Sequence, residues 1–192
     1  MIERAEDGSQ SLRETTIRAA APGDAECIAR VHIDTWRSAY QGILPDEYLT
    51  DLSYEKSAAM WSADLSKEDS SSVTYVAEAA DSVVGFAGGG PEREGYPAFA
   101  GELYGIYVLQ SHQRRGIGRR LVGAVGSDLV RRGFHSALVW VLEQNPCKAF
   151  YEALGGKRVG RKEAEIGGVC VGEVAYGWTC LSELIDECAR SL

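Results

Sequence analysis

Residues 102–121 read ELYGIYVLQSHQRRGIGRRL. The first part of this stretch is rich in aromatic and aliphatic residues, which is typical of a β-strand over residues 102–109. The second part contains Gly116 and Gly118, followed by an amphipathic pattern that predicts a helix from residue 116 to about residue 132. The stretch therefore predicts a strand that runs through a glycine-containing loop into a helix.

This corner has the properties of an anion-binding site. The first amides of a helix have no partner within the helix, and the helix dipole adds partial positive charge there. The two glycines leave room for a close approach to the backbone. The arginines at positions 114, 115, 119 and 120 concentrate positive charge in a chain of net charge −8. The alternative is a simple turn before a solvated helix start, since neither GxxxxGK[ST] nor GxGxxG is present.

The remaining segments predict the order β, helices, then β-β-β-α-β-α-β-β, which implies a mixed sheet with helices on its faces. Strands are predicted at residues 15–18, 73–79, 82–90, 102–109, 137–142, 157–163 and 169–179. Helices are predicted at residues 25–40, from residue 46, at residues 54–65, 116–132 and 146–154, and in the tail at 181–192.

Composition limits the domain count and the partners. A chain of 192 residues suits one domain, here placed at 15–182 between a leader at 1–14 and a tail at 183–192. Asp plus Glu number 28 against 20 for Lys plus Arg, which argues against nonspecific nucleic-acid binding. No apolar run approaches the roughly 18 residues of a membrane helix. The 5 cysteines are dispersed without metal-ligand spacing. We therefore expect a cytoplasmic protein without metal, nucleic-acid or membrane partners.

The corner resembles the pyrophosphate signature of the GNAT superfamily of N-acetyltransferases. That signature is Gln or Arg, two residues, Gly, one residue, then Gly or Ala, and residues 113–118, QRRGIG, match it. Residues 145–155, NPCKAFYEALG, resemble the family's Asn…Phe-Tyr-Glu…Leu-Gly segment. One departure is Gly156, where the family often has Phe. The resemblance covers residues 15–179 and implies an α/β (α+β) fold with a mixed, mostly antiparallel central sheet of about seven strands flanked by helices.

The resemblance implies that acetyl-CoA is bound and that its acetyl group passes directly to a primary amine of a small molecule or peptide. Backbone amides at 114–119 would hold the pyrophosphate, and strand residues 106–108 would pair with the pantetheine arm. The implied cofactor-binding residues are Ile106, Tyr107, Val108, Gln113, Arg114, Arg115, Gly116, Ile117, Gly118, Arg119 and Asn145. A homodimer is compatible with the resemblance.

Two catalytic residues follow from the same resemblance and from the chemistry of amines. Tyr151 would protonate the departing thiolate; its alternative role is a buried tyrosine that packs its helix on the sheet. An alkylammonium has a pKa of about 10.4 and must lose a proton before it attacks. Glu102 or an ordered water would accept that proton, and strand alternation would place Glu102, Tyr104 and Ile106 on one face. The amide near Val108 would stabilise the oxyanion.

The acceptor site is the least specific part of the sequence. His32, Trp36 and Tyr40 share one helix face, so Trp36 and Tyr40, together with Tyr104, are predicted to line it. An aromatic stripe at this spacing is alternatively part of the core. Two other functions stay open at this point: a noncatalytic acyl-CoA-binding regulatory module, and a scaffold or dimerisation protein on the same fold.

Overall fold

Seven strands form one sheet in the computed structural model, which describes residues 15–67 and 71–190. The sheet order is β1-β2-β3-β4-β5-β7-β6. The strands are β1 (Thr16–Ala19), β2 (Val73–Ala79), β3 (Ser82–Pro91), β4 (Gly101–Val108), β5 (Ala137–Leu142), β6 (Lys157–Ile166) and β7 (Val169–Trp178). The α-helices of the described residues are α1 (Ala25–Ala39), α2 (Asp46–Asp51), α3 (Tyr54–Leu65), α4 (Ile117–Arg131), α5 (Lys148–Glu152) and α6 (Leu181–Ala189).

Short-range signals explain several of these elements. Ala80 and Asp81, between β2 and β3, have φ of 51° and 62°. Left-handed conformations at both central residues are what a tight two-residue hairpin requires, because they match the twist of the strands. In α4, Leu121, Val125 and Leu129 recur on one face and are each buried.

The sheet opens between β4 and β5. These two strands run parallel, and they pair only at Gly101–Ala137 and Glu102–Leu138. The other neighbouring strands pair antiparallel. Beyond the paired residues β4 continues to Val108 and β5 to Leu142 without further pairing between them. The facing edge of β4 is therefore free of a strand partner over most of its length.

The core lies on both faces of the sheet. On one face α4 packs with α6 through residues that include Leu121 and Leu184. On the other face α1 packs through Ile28 and Val31 on Phe86 of β3. A third cluster joins α2 to Leu142 at the end of β5. The gap where β4 and β5 do not pair thus lies between the helices α4 and α6 on one face of the sheet and α1 and α2 on the other.

The structure confirms the predicted fold class, a mixed, mostly antiparallel sheet flanked by helices. Helix α5 is shorter than the predicted 146–154, because the Oδ1 atom of Asn145 accepts the N–H of Cys147 at 2.8 Å and holds a turn there. The predicted boundary at 182/183 falls inside α6, whose Leu184 and Cys188 are buried. The leader at 1–14 lies outside the described residues. Among those described, no helix has the length and apolar character needed to cross a membrane.

Candidate active site

The corner between β4 and α4 is shaped by two residues in the left-handed region. A 3-10 turn at Gln110–His112 follows β4. Arg114 then has φ of 61° and Gly116 φ of 77°, so that the chain turns sharply before α4 begins. The N–H of Arg120 donates to the carbonyl of Gly116 at 3.1 Å. The amides just before Arg120 lie at the positive end of the helix without helical partners, which suits an anion.

Side chains brace this corner from two sides. The Nε2 atom of Gln113 donates to the carbonyl of Val108 at 2.9 Å, which ties the loop to the end of β4. The Nη1 atom of Arg119 donates to the carbonyl of Glu187 in α6 at 2.9 Å. The side chains of Arg114 and Arg115 are exposed. Gln113 and Arg119 therefore order the loop with their side chains and leave its backbone for a ligand.

Gly118 lies where β4, α4 and α5 meet. A Cβ atom at Gly118 would lie 3.3 Å from the ring of Phe150 and 3.4 Å from the Cδ1 atom of Ile106. The loop residues are thus direct neighbours of the helix that carries Tyr151.

A β-bulge in β4 changes which side chains share a face. Two consecutive residues of β3 pair with the two residues that flank Tyr104, so Tyr104 is the extra residue. Glu102 and Tyr104 contact the same guanidinium, that of Arg93. Ile106 instead packs beside Gly118 on the α4 side. The prediction of one common face is therefore wrong for Ile106, because the bulge interrupts the alternation.

Glu102 is only 2% exposed, and Arg93 holds both of its carboxylate oxygens. The Nε atom of Arg93 donates to Oε2 at 3.0 Å, Nη2 donates to Oε1 at 2.5 Å, and the backbone N–H donates to Oε2 at 3.2 Å. The guanidinium also lies 4.0 Å from the ring centroid of Tyr104. Glu102 is therefore shielded from solvent and held in place by three hydrogen bonds from Arg93. Its role as a base stays a prediction, and this geometry does not favour it.

Three tyrosines from separate elements lie close together near the opening: Tyr40 after α1, Tyr107 in β4 and Tyr151 in α5. Tyr151 is 6% exposed. Burial raises the pKa of Tyr151 far above its usual value, and the phenols of Tyr107 and Tyr40 add to this effect. The phenol is protonated at neutral pH, as an ordinary tyrosine also is, so a proton is present for donation, while the raised pKa makes it a weaker acid.

Asn145 connects the end of β5 to this group of tyrosines. It is 7% exposed, and its carboxamide faces the phenol of Tyr40. The thiol of Cys147, next along the same turn, lies close to Tyr40 and Tyr151. The structure therefore brings the predicted residues Asn145, Tyr40 and Tyr151 to one place.

Aromatic side chains of α1 form a wall beside the tyrosines. The ring centroids of Trp36 and Tyr40 are 5.0 Å apart, and those of His32 and Tyr107 are 4.6 Å apart. The Nε1 atom of Trp36 is buried and faces the phenol of Tyr107. Trp36 and Tyr40 thus lie together, whereas Tyr104, the third predicted acceptor residue, lies with Arg93 and Glu102.

Arg37 connects α1, the helix that carries these aromatic side chains, to the end of α2. Its guanidinium donates to the carbonyls of Leu49, Thr50 and Leu52, each at 3.0 Å. These carbonyls lie at the end of α2, where helical partners are missing. The positions of α1 and α2 are therefore coupled.

Comparison with known proteins identifies the family. Residues 33–156 match the family model described as the acetyltransferase (GNAT) family. The chain belongs to this family. It is 42% identical over 170 residues to the uncharacterized N-acetyltransferase YuaI of Bacillus subtilis, covering 88% of this chain and 95% of the relative. It is 31% identical over 145 residues to a probable N-acetyltransferase of Mycobacterium tuberculosis, covering 71% of this chain and 76% of the relative. This GNAT chain is thus an N-acetyltransferase.

Solved GNAT structures share the fold. The PaiA N-acetyltransferase of Thermoplasma acidophilum, solved in complex with coenzyme A, superposes with a TM-score of 0.61 at 19% identity, over 84% of this chain and 98% of that one. The structure of yncA from Salmonella typhimurium, solved with its cofactor acetyl-CoA, gives a TM-score of 0.64 at 19% identity, over 86% of this chain and 93% of that one. An N-acetyltransferase of Staphylococcus aureus gives 0.67 at 19% identity, over 88% and 99%.

Sequence reasoning missed Arg93, the partner of the predicted site residue Glu102. Arg93 follows β3 in a segment without a motif, and its partner Glu102 is identified only once the path of that segment is known. Within residues 15–67 and 71–190, no three His, Cys, Asp or Glu side chains group as metal ligands.

Proposed function

We propose that this GNAT enzyme uses acetyl-CoA and transfers its acetyl group directly to a primary amine of a small molecule or peptide. The observation that carries the proposal is the β4–α4 corner, whose amides lack helical partners. The corner follows the part of β4 whose edge is unpaired. Gly118 of the corner is next to Phe150, the residue before Tyr151. Coenzyme A and acetyl-CoA in two structural relatives support the choice of donor.

The residues present fit this donor. The amides at 114–119 would hold the pyrophosphate, since a helix start with Gly116 in the left-handed region allows close approach of a phosphate. The unpaired backbone of β4 from Ile106 to Val108 would receive the amide groups of the pantetheine arm, as an exposed strand edge does. Asn145 would add a side-chain hydrogen bond. When bound, acetyl-CoA supplies the activated acetyl group.

Tyr151 is proposed as the general acid that protonates the departing sulfur. Its phenol is buried beside Phe150 and is protonated at neutral pH, so a proton is available for the sulfur. Glu102 is the predicted proton acceptor on the amine side, but its burial and its hydrogen bonds to Arg93 do not favour this role. An ordered water is the other acceptor that the chemistry allows.

We place the reaction in the cytoplasm. All five cysteines are free thiols, and four of them are exposed. Exposed thiols without disulfides are typical of a reducing compartment.

The test is a thiol-release assay with acetyl-CoA over a panel of small amines and peptides. Tyr151→Phe should lower kcat by about 100-fold, because the general acid is lost, while the Kd for CoA stays unchanged. The matched control is Tyr176→Phe, which removes a phenol that hydrogen-bonds Glu152 beside Tyr151 and should keep activity. Full activity in Tyr151→Phe would exclude the acid role. Tight CoA binding without acetylation of any amine would favour the noncatalytic acyl-CoA-binding module.

A further inference from the structure

Lys162 of β6 occupies a cation site on the same side of the sheet as α1 and α2. Its ammonium lies 4.3 Å from the ring centroid of Trp140, pairs with Glu94, and lies 3.3 Å from the Oε2 atom of Glu173. An aromatic face combined with carboxylates is a common recognition site for alkylammonium groups. The position of Lys162 therefore shows that a primary ammonium group fits between the Trp140 ring and the carboxylates of Glu94 and Glu173.

Glu173 faces the tyrosines as well as Lys162. The β5–β7 register pairs Glu173 with Leu142, and Leu142 packs in the cluster that includes Tyr40. Burial is the main cause that raises the pKa of both Tyr40 and Tyr107, and the negative charge of Glu173 adds to it in each case. Tyr40 and Tyr107 are the same phenols that lie close to Tyr151. Glu173 thus contacts the ammonium site and lies next to Leu142, which packs in the cluster with Tyr40.

Glu173 is held less tightly than Glu102. Both oxygens of Glu102 accept hydrogen bonds from Arg93, at 2.5–3.2 Å. The contact of Glu173 with Lys162 joins Oε2 and Nζ at 3.3 Å. The side chain of Glu173 is 17% exposed, so an incoming molecule can reach it.

We infer that Glu173, with the indole face of Trp140, binds the ammonium group of the acceptor and takes its proton. This inference rests on the proposed acetyl transfer and assigns its proton acceptor to Glu173 in place of Glu102 or an ordered water. It also defines the acceptor as a primary alkylammonium.

The proton and bond changes balance as follows. Glu173 takes one proton from R–NH3+, which leaves R–NH2 and a neutral carboxyl group, and the carboxyl group returns this proton to water. The nitrogen lone pair forms the N–C bond while the C–S bond of acetyl-CoA breaks. Tyr151 gives its proton to the sulfur, and the second proton of the nitrogen restores Tyr151 through water. The products are the N-acetyl amide, the CoA thiol and one proton.

The ammonium group of Lys162 then competes with the ammonium group of the acceptor for Glu173 and the Trp140 ring. The acceptor's ammonium must displace the lysine's from Glu173 and from the Trp140 face. Glu173→Gln and Lys162→Met therefore have opposite effects on acceptor binding, although each breaks the same ion pair. A merely structural ion pair would make the two variants alike.

The experiment compares n-hexylamine, which is charged at pH 7.5, with O-hexylhydroxylamine, which is neutral there. Glu173→Gln should lower kcat/KM for n-hexylamine about 100-fold, because the proton acceptor is lost. It should change kcat/KM for O-hexylhydroxylamine by less than about threefold, since no proton must be removed first. Lys162→Met should lower KM for n-hexylamine by roughly threefold, the size of a partly exposed ion pair. Equal losses with both amines in Glu173→Gln, or a raised KM in Lys162→Met, would overturn the inference.

A control and a binding measurement separate this inference from the proposed function. Glu165→Gln changes an exposed carboxylate on the same β6–β7 hairpin and should leave kinetics unchanged. If the wild-type protein acetylates neither amine, the acetyl transfer proposed for these substrates fails. The ammonium site is then decided by calorimetric titration of n-hexylammonium chloride into CoA-saturated protein. Binding to the wild type but not to Glu173→Gln supports the site, and absence of binding to the wild type rejects it.

Discussion

Arg93 binds both carboxylate oxygens of Glu102, yet the two side chains differ greatly in exposure: 58% for Arg93 and 2% for Glu102. The pair therefore has a solvated partner and a buried one. Removing the solvated partner leaves a buried charge, whereas removing the buried charge leaves an arginine that water can solvate.

This asymmetry predicts unequal losses of stability. Arg93→Met should lower the free energy of unfolding by about 1–3 kcal/mol, because the buried carboxylate loses charged hydrogen bonds. Glu102→Gln should lower it by less. Urea denaturation of both variants measures the difference, and a larger loss in Glu102→Gln would contradict the proposed asymmetry.

Gly116 and Gly133 flank α4 and both have positive φ, 77° and 89°. Replacing either by Ala should cost about 1–3 kcal/mol of stability, since L-residues rarely adopt this conformation. Only Gly116→Ala should also weaken CoA binding, by about tenfold or more, because only that residue shapes the proposed phosphate corner. Isothermal titration with CoA compares the two variants. Equal CoA affinity in both would place the phosphate elsewhere.

The indole of Trp178 fills the space beside Gly156, the position where the family often has Phe. A Cβ at Gly156 would come within 2.8 Å of the Trp178 ring and of the carbonyl of Tyr151. Gly156→Ala should therefore lower stability by about 1–3 kcal/mol through overpacking. Gly23→Ala is the control, since a Cβ at Gly23 meets nothing within 4 Å. Thermal unfolding distinguishes the two, and unchanged stability in Gly156→Ala would show that Trp178 can move aside.

His32 makes stability depend on pH. Burial lowers its pKa to about 4 from the ordinary value of 6.5. Because the folded pKa lies below the unfolded one, the neutral ring contributes stability above about pH 6.5, and this is lost as pH falls toward 4. Between pH 7.5 and pH 5 the wild type should lose roughly 2 kcal/mol more than His32→Gln.

Denaturant titrations at the two pH values provide the measurement. The exposed His135, replaced by Gln, is the control that should keep the wild-type pH dependence. Identical pH dependence in wild type and His32→Gln would mean that His32 is not buried as a neutral ring.

Much of the fold could be predicted because its signals are local. The β5 strand, the glycine corner before α4 and the helix α3 each follow from residue type and spacing over a few positions. The pyrophosphate motif and the segment around Tyr151 were recognisable for the same reason. The bulge at Tyr104 was not, because it depends on the register with β3, which single-strand alternation does not contain.

The sequence by itself determined the element order, the corner at residues 113–118 and the membership of Asn145 and Tyr151 in one segment, since neighbours along the chain interact over short distances. Tertiary structure alone decided which side chains from distant segments meet. The path of the segment after β3 brings Arg93 to Glu102, and the placement of β7 beside β5 brings Glu173 next to Leu142. Such pairings depend on sheet order and loop path, which no local preference specifies.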